Sequence, residues 1–457
     1  MTEITIRQQK NTLRMAVVTA FITTFMGSAL NLSVPALEEQ FQVSAALVGW
    51  VVTAFTLTVA AFSVPMGKLA DATGRRRVLL IGIASFGVLS VLCIFSVNIW
   101  MMILFRGLQG VAASMIYATN NALLISVFPG TERGRVLGIS TAATYVGLSM
   151  GPVIGGILNH RMGWQSIFAV TFFCTVLSFV LAWAGAPKTK PDPPQCRTDA
   201  AGNLLFIAMI SLILYGLTNL TISRYGWLIL VCGLALAAAF ILVEQRAEEP
   251  VIRLTMFTRD RVFAFSNLAA LLNYGATFAI SYLVSIYLQV VMDYSSQTAG
   301  VILICMPAVQ ALFSPLMGRL SDRVPPYKLA SLGMGLCVAG LGMFSLLGLY
   351  TPFAWIIAAL VVEGFGFALF SSPNTNAIMN CVNKEEYSVA NSILATMRTF
   401  GHSASMAIVT IVVGMVLGNA ALTEAAPSQL VKTMHWCFLV FVALCVIGTV
   451  LSLERKR

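Results

Sequence analysis

The sequence predicts an all-α polytopic membrane protein with about fourteen spans, and three observations carry that expectation. Of its 457 residues, 58% are hydrophobic and only 10% are charged, where a soluble domain has roughly 25% charged. So few charges cannot clothe a surface in water, and lipid must solvate much of it. Apolar runs of spanning length recur between short polar breaks. They do not alternate apolar with polar as barrel strands do. Lysine and arginine collect in every second break, as they do on the cytoplasmic side of a membrane protein.

In chain order the runs lie near 14–35, 46–66, 77–97, 101–127, 136–158, 164–185, 200–220, 226–243, 262–290, 297–317, 328–349, 353–374, 388–416 and 433–453. With the N-terminus placed inside, all but five of the 28 lysines and arginines fall in cytoplasmic segments. The exceptions are Arg161, Arg224 and Lys432 outside, and Arg106 and Arg398 within spans. This predicts an even span count, both termini cytoplasmic, and a multi-pass protein of the cell inner (plasma) membrane. The net charge of +10 is then a topology signal. The basic residues form no continuous patch, so no nucleic-acid partner is predicted, nor any obligate protein partner. Met1 to Arg14 is polar and lacks a small-residue cleavage site, which predicts no cleaved signal peptide. The nine cysteines lie mostly inside apolar runs without metal-ligand spacing, so packing is their expected role and no metal or cofactor is predicted.

The chain also repeats. Gly67-Lys68-Leu69-Ala70-Asp71 returns as Gly318-Arg319-Leu320-Ser321-Asp322, and Thr119-Asn120-Asn121-Ala122 is echoed by Asn374-Thr375-Asn376-Ala377. Matching halves are a mark of transporter folds. The expected organisation is a six-helix bundle over 1–185, a linker with two additional spans over 186–255, and a second six-helix bundle over 256–457. The linker opens on a proline-rich stretch, Ala186 to Pro194, that reads as extended chain.

Three motifs carry chemistry. In the first, Gly67 and Gly74 permit a tight cytoplasmic turn, and Arg75, Arg76 and Arg77 face the negative inner leaflet. Asp71, an acid among bases, has a partner to hold; a merely solvated loop is the plainer reading. The second is Arg106-Gly107-Leu108-Gln109-Gly110. A charge within a span costs a few kcal/mol, so Arg106 must meet a partner or a wet cavity. Arg106, Gln109, Ala113, Tyr117, Asn120 and Asn121 recur at helical spacing on one face, either lining a cavity or bonding between helices. The third is Gly138, Gly147, Gly151-Pro152 and Gly155-Gly156. Ala143, Gly147, Gly151 and Gly155 make a small-residue stripe that lets another helix approach, while Pro152 removes a donor and can bend the helix.

The fourteen spans and these motifs together resemble the fourteen-span drug/proton antiporter branch (EmrB/QacA-type) of the major facilitator superfamily, over nearly the whole chain. The resemblance implies the major facilitator fold, two six-helix bundles plus two extra central helices. It also implies a cytoplasmic latch through Asp71, with Gly67, Gly74, Arg75, Arg76 and the repeat residues Gly318 and Asp322. It further implies an Arg106 linked to proton transfer and an antiporter signature at Gly138, Gly147, Gly151, Pro152, Gly155 and Gly156. One departure is clear. Members commonly carry an acid in the first span; in Phe25 to Pro35, Asn31 and Pro35 fit that pattern but Met26 stands in the acid's place.

Glu363 becomes the candidate proton-coupling or cation-binding acid, because it alone of the 18 acids sits deep in an expected span. An ion pair with Arg106 or Arg398, or a structural role, is the alternative. Arg398 and His402 are four apart and share a face, suited to an anionic substrate or to pairing with Glu363. Asn31, Gln109, Tyr117, Asn120, Asn121, Asn273, Tyr274, Tyr282, Asn374 and Asn376 are further candidate lining residues. No G-x4-GK-[ST] phosphate loop is present, so a proton or other cation gradient is the expected energy source. No nucleophile–base pair appears in the spans, which speaks against an enzyme. The expected function is proton-coupled efflux of amphipathic or cationic drugs and toxic compounds by alternating access. The alternative is a proton-coupled or facilitated carrier of a metabolite or organic anion.

Overall fold

The computed structural model describes residues 6–43, 45–187, 199–220, 225–247, 250–417 and 426–455. Among them are fourteen helices long and apolar enough to cross a membrane: α1 (Ile6–Ala29), α2 (Leu47–Thr73), α3 (Arg75–Ile94), α4 (Ile99–Val127), α5 (Gly130–Met162), α6 (Gln165–Gly185), α7 (Ala200–Thr218), α8 (Gly226–Glu244), α9 (Arg261–Val290), α10 (Gln297–Leu320), α11 (Pro326–Ser345), α12 (Phe353–Asn380), α13 (Lys384–Leu417) and α14 (Pro427–Leu453). The chain is thus an all-helical, multi-pass membrane protein with the expected number of spans. Helices meet the bilayer's demand because each closes its own backbone hydrogen bonds. Interior hydroxyls follow the same economy: Thr19, Thr23, Thr171 and Thr175 each donate to the carbonyl four residues back.

Helix ends fall where the residues supply caps. Asn98 accepts from the Met101 N–H at 2.8 Å to open α4, and Asp260 accepts from Val262 and Phe263 to open α9. Pro326 and Pro427 start α11 and α14, where a missing N–H costs nothing. Between α2 and α3 stands one non-helical residue, Gly74, at φ +106°. That backbone conformation is open to glycine and strained for other residues.

Two local features depart from the hydropathy reading. The apolar run ends near 66, but α2 stays helical to Thr73, so the motif expected to open a loop forms the helix's last two turns. Polar side chains there do not break a helix: Thr73 donates to the Leu69 carbonyl, and Asp71 pairs with Arg75 across the turn. Conversely, α9 is interrupted at Phe278 and Ala279, between the segments Arg261–Thr277 and Ile280–Val290, within an apolar run that showed no break. Most of the proline-rich linker, including Pro191 and Pro194, lies outside the described residues.

Helix pairings repeat between the halves. α2 packs on α4 as α10 does on α12; α3 on α4 as α11 on α12; α3 on α6 as α11 on α14; and α1 on α6 as α9 on α14. The described chain groups into two compact units. Unit 1 comprises Met1–Ser211, Ala235–Leu254 and Val382–Thr396; unit 2 comprises Leu212–Leu234, Thr255–Cys381 and Met397–Arg457. In unit 1, Phe206 of α7 meets Phe240 of α8 edge-on at 5.6 Å. In unit 2, Gly216 and Gly233 bring the other ends of the same helices into backbone contact.

Gly74→Ala is expected to cost about 1–3 kcal/mol, the strain of an L-residue held at this φ. A lowered thermal midpoint of the detergent-solubilised chain would register it, and an unchanged midpoint would contradict it.

Candidate latch and transport site

In unit 1 the first motif closes around the start of α13. Asp71 accepts the backbone N–H of Val389 at 3.1 Å and that of Ser388 at 3.4 Å. A carboxylate there caps the helix N-terminus and meets its positive dipole end. Arg75 pairs with Asp71 at 2.7 Å, donates to Ser388 Oγ at 3.0 Å and donates to the Lys384 carbonyl. The Tyr387 ring lies 5.5 Å from the Arg75 guanidinium and 5.4 Å from that of Arg133. Gly67 permits this approach, since a Cβ there would stand 2.5 Å from Ser392 Oγ and 2.9 Å from the Ser388 carbonyl. Arg76 turns the other way and donates to the Trp183 carbonyl at the end of α6. In the second copy Gly318 is buried and Asp322 half-buried. Four residues on from Asp322 stands Pro326, so no arginine follows it at the spacing of Asp71 and Arg75.

The third motif forms the seam between α1 and α5. A Cβ on Gly147, Gly151 or Gly155 would collide with Phe21, Ser28 or Ala29 of α1. Thr24 and Ser28 of α1 donate to the Thr144 and Gly147 carbonyls of α5, at 3.1 and 3.3 Å. Gly138 is buried, while Pro152 and Gly156 are half-buried beside the stripe. Met26, in the acid's place, is fully buried and accepts from Thr171 at 3.1 Å. A thioether satisfies this packed position, and it carries no proton.

Arg106 is wholly buried, yet no carboxylate among the described residues pairs with it. It donates to the Val51 carbonyl at 3.1 Å and to Gln109 at 2.6 Å, lies 4.3 Å from the Phe55 ring, and leaves Nη2 unpartnered. Gln109 passes the network to Ser90 at 2.8 Å. The face expected to line one cavity is therefore divided. Arg106 and Gln109 bond to α2 and α3, and Asn120 reaches the Ala16 carbonyl of α1. Asn121 meets Ser140 and Asn391, while Asn391 donates to the Tyr117 carbonyl. Helical spacing fixes the side of a helix, but neighbouring helices decide which residues share a space.

In unit 2, Glu363 is wholly buried. Among the described residues no basic, amide or hydroxyl group bonds its two oxygens, and the Cys337 thiol, a weak donor, is the side chain that reaches them. The carboxylate lies against Gly340 of α11, within electrostatic reach of Cys337 and Cys445. It forms no ion pair with Arg398. Arg398 instead donates to Thr375 at 3.1 Å and lies 5.3 Å from the Tyr274 ring. His402, one turn on, stacks on Phe278 with ring centroids 4.1 Å apart and stands 5.4 Å from Tyr274. Tyr274 also shares a hydrogen bond with Ser371 at 3.3 Å, and Tyr282 is exposed. Asn374 and Asn376 serve the bundle end: Asn374 bonds the Ser266 carbonyl and Arg455, and Asn376 bonds Ser321. The side chain of Asn31 lies outside the described residues.

Sequence reasoning missed Tyr387, Asn391 and Phe278. A polar Asn391 at the head of an apolar run was a usable signal. Phe278 gave none, because the helix break beside it is invisible to hydropathy.

Repeated helix pairings and polar groups buried deep in spans are the marks of a polytopic membrane transporter. The Major Facilitator Superfamily model matches residues 16–406, and the chain belongs to that family. It is 29% identical over 440 residues to the riboflavin transporter RibZ of Clostridioides difficile, covering 96% of this chain and 95% of that one. It is 29% identical over 387 residues to the multidrug resistance protein Stp of Mycobacterium tuberculosis, covering 83% and 71%. Among solved structures, the human organic anion transporter MFSD10 (TETRAN) superposes with a TM-score of 0.71 at 12% identity, covering 97% of this chain and 99% of that one.

Removing the Asp71 cap should loosen the start of α13. Asp71→Ala is expected to raise amide hydrogen exchange across 387–396 by roughly fivefold to tenfold, equivalent to ~1 kcal/mol of lost capping. Unaltered exchange in that peptide would mean that Asp71 does not hold the helix.

Proposed function

We propose that this protein is a secondary active exporter that exchanges amphipathic compounds for protons by alternating access. The observation that carries the reading is Glu363, a wholly buried carboxyl with no counter-charge among the described residues and only the weakly donating Cys337 thiol beside it. An ionised carboxylate left so is costly. The proton occupancy of such a group therefore follows its access to water, which is what coupling requires. Arg106, buried without an acid partner, is the second candidate in the coupling machinery.

The latch and the seam are assigned conformational roles. Asp71 and Arg75 hold the head of α13 in unit 1, and release of that cap would accompany the change of access. The glycine stripe of α5 keeps α1 in close contact and supplies a sealing face. The distribution of lysine and arginine supports cytoplasmic termini and an inner-membrane location. A relative named for multidrug resistance favours toxic amphipathic compounds as cargo.

A second reading, a carrier of a metabolite or organic anion, has its own support. Arg398 lacks a carboxylate partner among the described residues, and one relative is named a riboflavin transporter.

Proteoliposomes containing the purified chain test the coupling. An imposed pH gradient is expected to drive uptake or release of a lipophilic dye, and Glu363→Gln should reduce that flux to the level of protein-free liposomes. Full gradient-driven exchange by the variant would end the assignment of Glu363. Broad tolerance gained by a drug-sensitive host expressing the wild-type chain would separate the first reading from the second.

A further inference from the structure

The transport reading leaves the cargo's chemistry open, and one cluster in unit 2 narrows it. Tyr274 and Phe278 of α9, Thr375 of α12, and Arg398 and His402 of α13 converge at the break in α9. The convergence is enforced by backbone. A Cβ on Gly401 would stand 2.8 Å from Gly275 N, the Leu271 carbonyl and Tyr274 Cβ, so α9 and α13 touch here. Just past the break, the Ala279 N–H donates to Ser405 Oγ at 3.1 Å. Interrupted spanning helices are where transporter folds place their ligands.

Two properties of the cluster matter. The first is flat, open aromatic surface. Phe278 is stacked on His402 at 4.1 Å with an interplanar angle of 20°, yet remains 46% exposed, and Tyr282 one turn on is 44% exposed. Arg398 and His402, both half-buried, share one face of α13, and hydrocarbon is a poor neighbour for a guanidinium. The second is unspent positive charge. The Arg398 guanidinium is held by the Tyr274 face and by Thr375. Its Nε has no hydrogen-bond partner, and no described carboxylate pairs with it. Glu363, the one acid deep within a span, does not pair with it either. A guanidinium presents a rigid fork of donors suited to a carboxylate or another anionic oxygen edge.

We propose that Phe278, His402 and Arg398 form a cargo subsite for a planar aromatic ring bearing an anionic oxygen group, with the ring lying on Phe278 and the oxygens on Arg398. The proposal rests on the transport reading only in calling the ligand cargo. It favours aromatic anions over lipophilic cations, because the described cluster offers a cation no carboxylate.

Equilibrium binding, which needs no gradient, separates this idea from proton coupling. The full-length chain in phosphatidylcholine nanodiscs is titrated with fluorescein, a planar aromatic anion, and with ethidium, a planar aromatic cation, using fluorescence anisotropy. Saturable fluorescein binding is expected, weakened about 10- to 100-fold in Arg398→Ala, as for loss of a charge-assisted hydrogen bond. Phe278→Ala should weaken it by about threefold to tenfold, through lost stacking. Arg398→Lys keeps the charge without the fork and should fall between wild type and alanine, which guards against a merely unfolded alanine variant. Ethidium should bind more weakly and ignore Arg398. Absence of fluorescein binding, or binding of both dyes that neither variant alters, overturns the proposal. Loss of pH-driven flux with this binding intact would instead overturn the coupling reading alone.

Discussion

A polar group removed from water must find its partner inside the protein, and that constraint organises this molecule from backbone to site. The backbone answers it with helices. Threonine and serine answer it by bonding back to their own helix, as Thr19 and Thr23 do. Charged groups cannot be satisfied so locally. Asp71 is answered by Arg75 and two amides of α13, while Arg106 is answered by a carbonyl, an amide side chain and an aromatic face. Glu363 meets no counter-charge among the described residues, only the weakly donating Cys337 thiol, and Arg398 has an incomplete answer. The chemistry of transport is assigned to these two because their electrostatics is unfinished.

Small residues are the second organising device, and they recur where each half needs a close crossing. Gly147, Gly151 and Gly155 let α1 lie against α5; Gly401 lets α9 lie against α13. Each pair joins the first and fifth helices of its six, so the repeat extends to the way the helices are packed. Without a hydrophobic force between helices in lipid, such backbone contact is a main source of association. It also places the Tyr274–Phe278 stretch beside Arg398 and His402, so that packing and candidate binding surface are built by the same crossing.

The copies of the first motif have diverged in a physically readable way. Asp71 reaches a helix terminus because Arg75 lies one turn on and Gly67 leaves room for Ser388 and Ser392. Pro326 removes the corresponding arginine from the second copy, and Asn376 bonds Ser321 nearby instead. One copy holds the head of α13; the other lies near an asparagine-based tie within its own unit.

Composition, hydropathy and charge placement determined the class, the fourteen spans and the repeat, because the bilayer imposes one-dimensional rules that a sequence displays directly. The small-residue motif likewise announced a close crossing on α5, since close approach requires glycine whatever the partner, and the structure supplied α1 as that partner. Only tertiary structure decided which polar residues meet. Helical spacing put Arg106, Gln109, Tyr117, Asn120 and Asn121 on one side of α4, and five different helices then claimed them. Candidate pairing of Glu363 with Arg398 was resolved the same way, by carrying the acid toward α11 and the arginine toward Tyr274 and Thr375. The physical reason is that burial and hydrogen bonding are properties of contact between helices distant in the chain, and no window of sequence contains both partners.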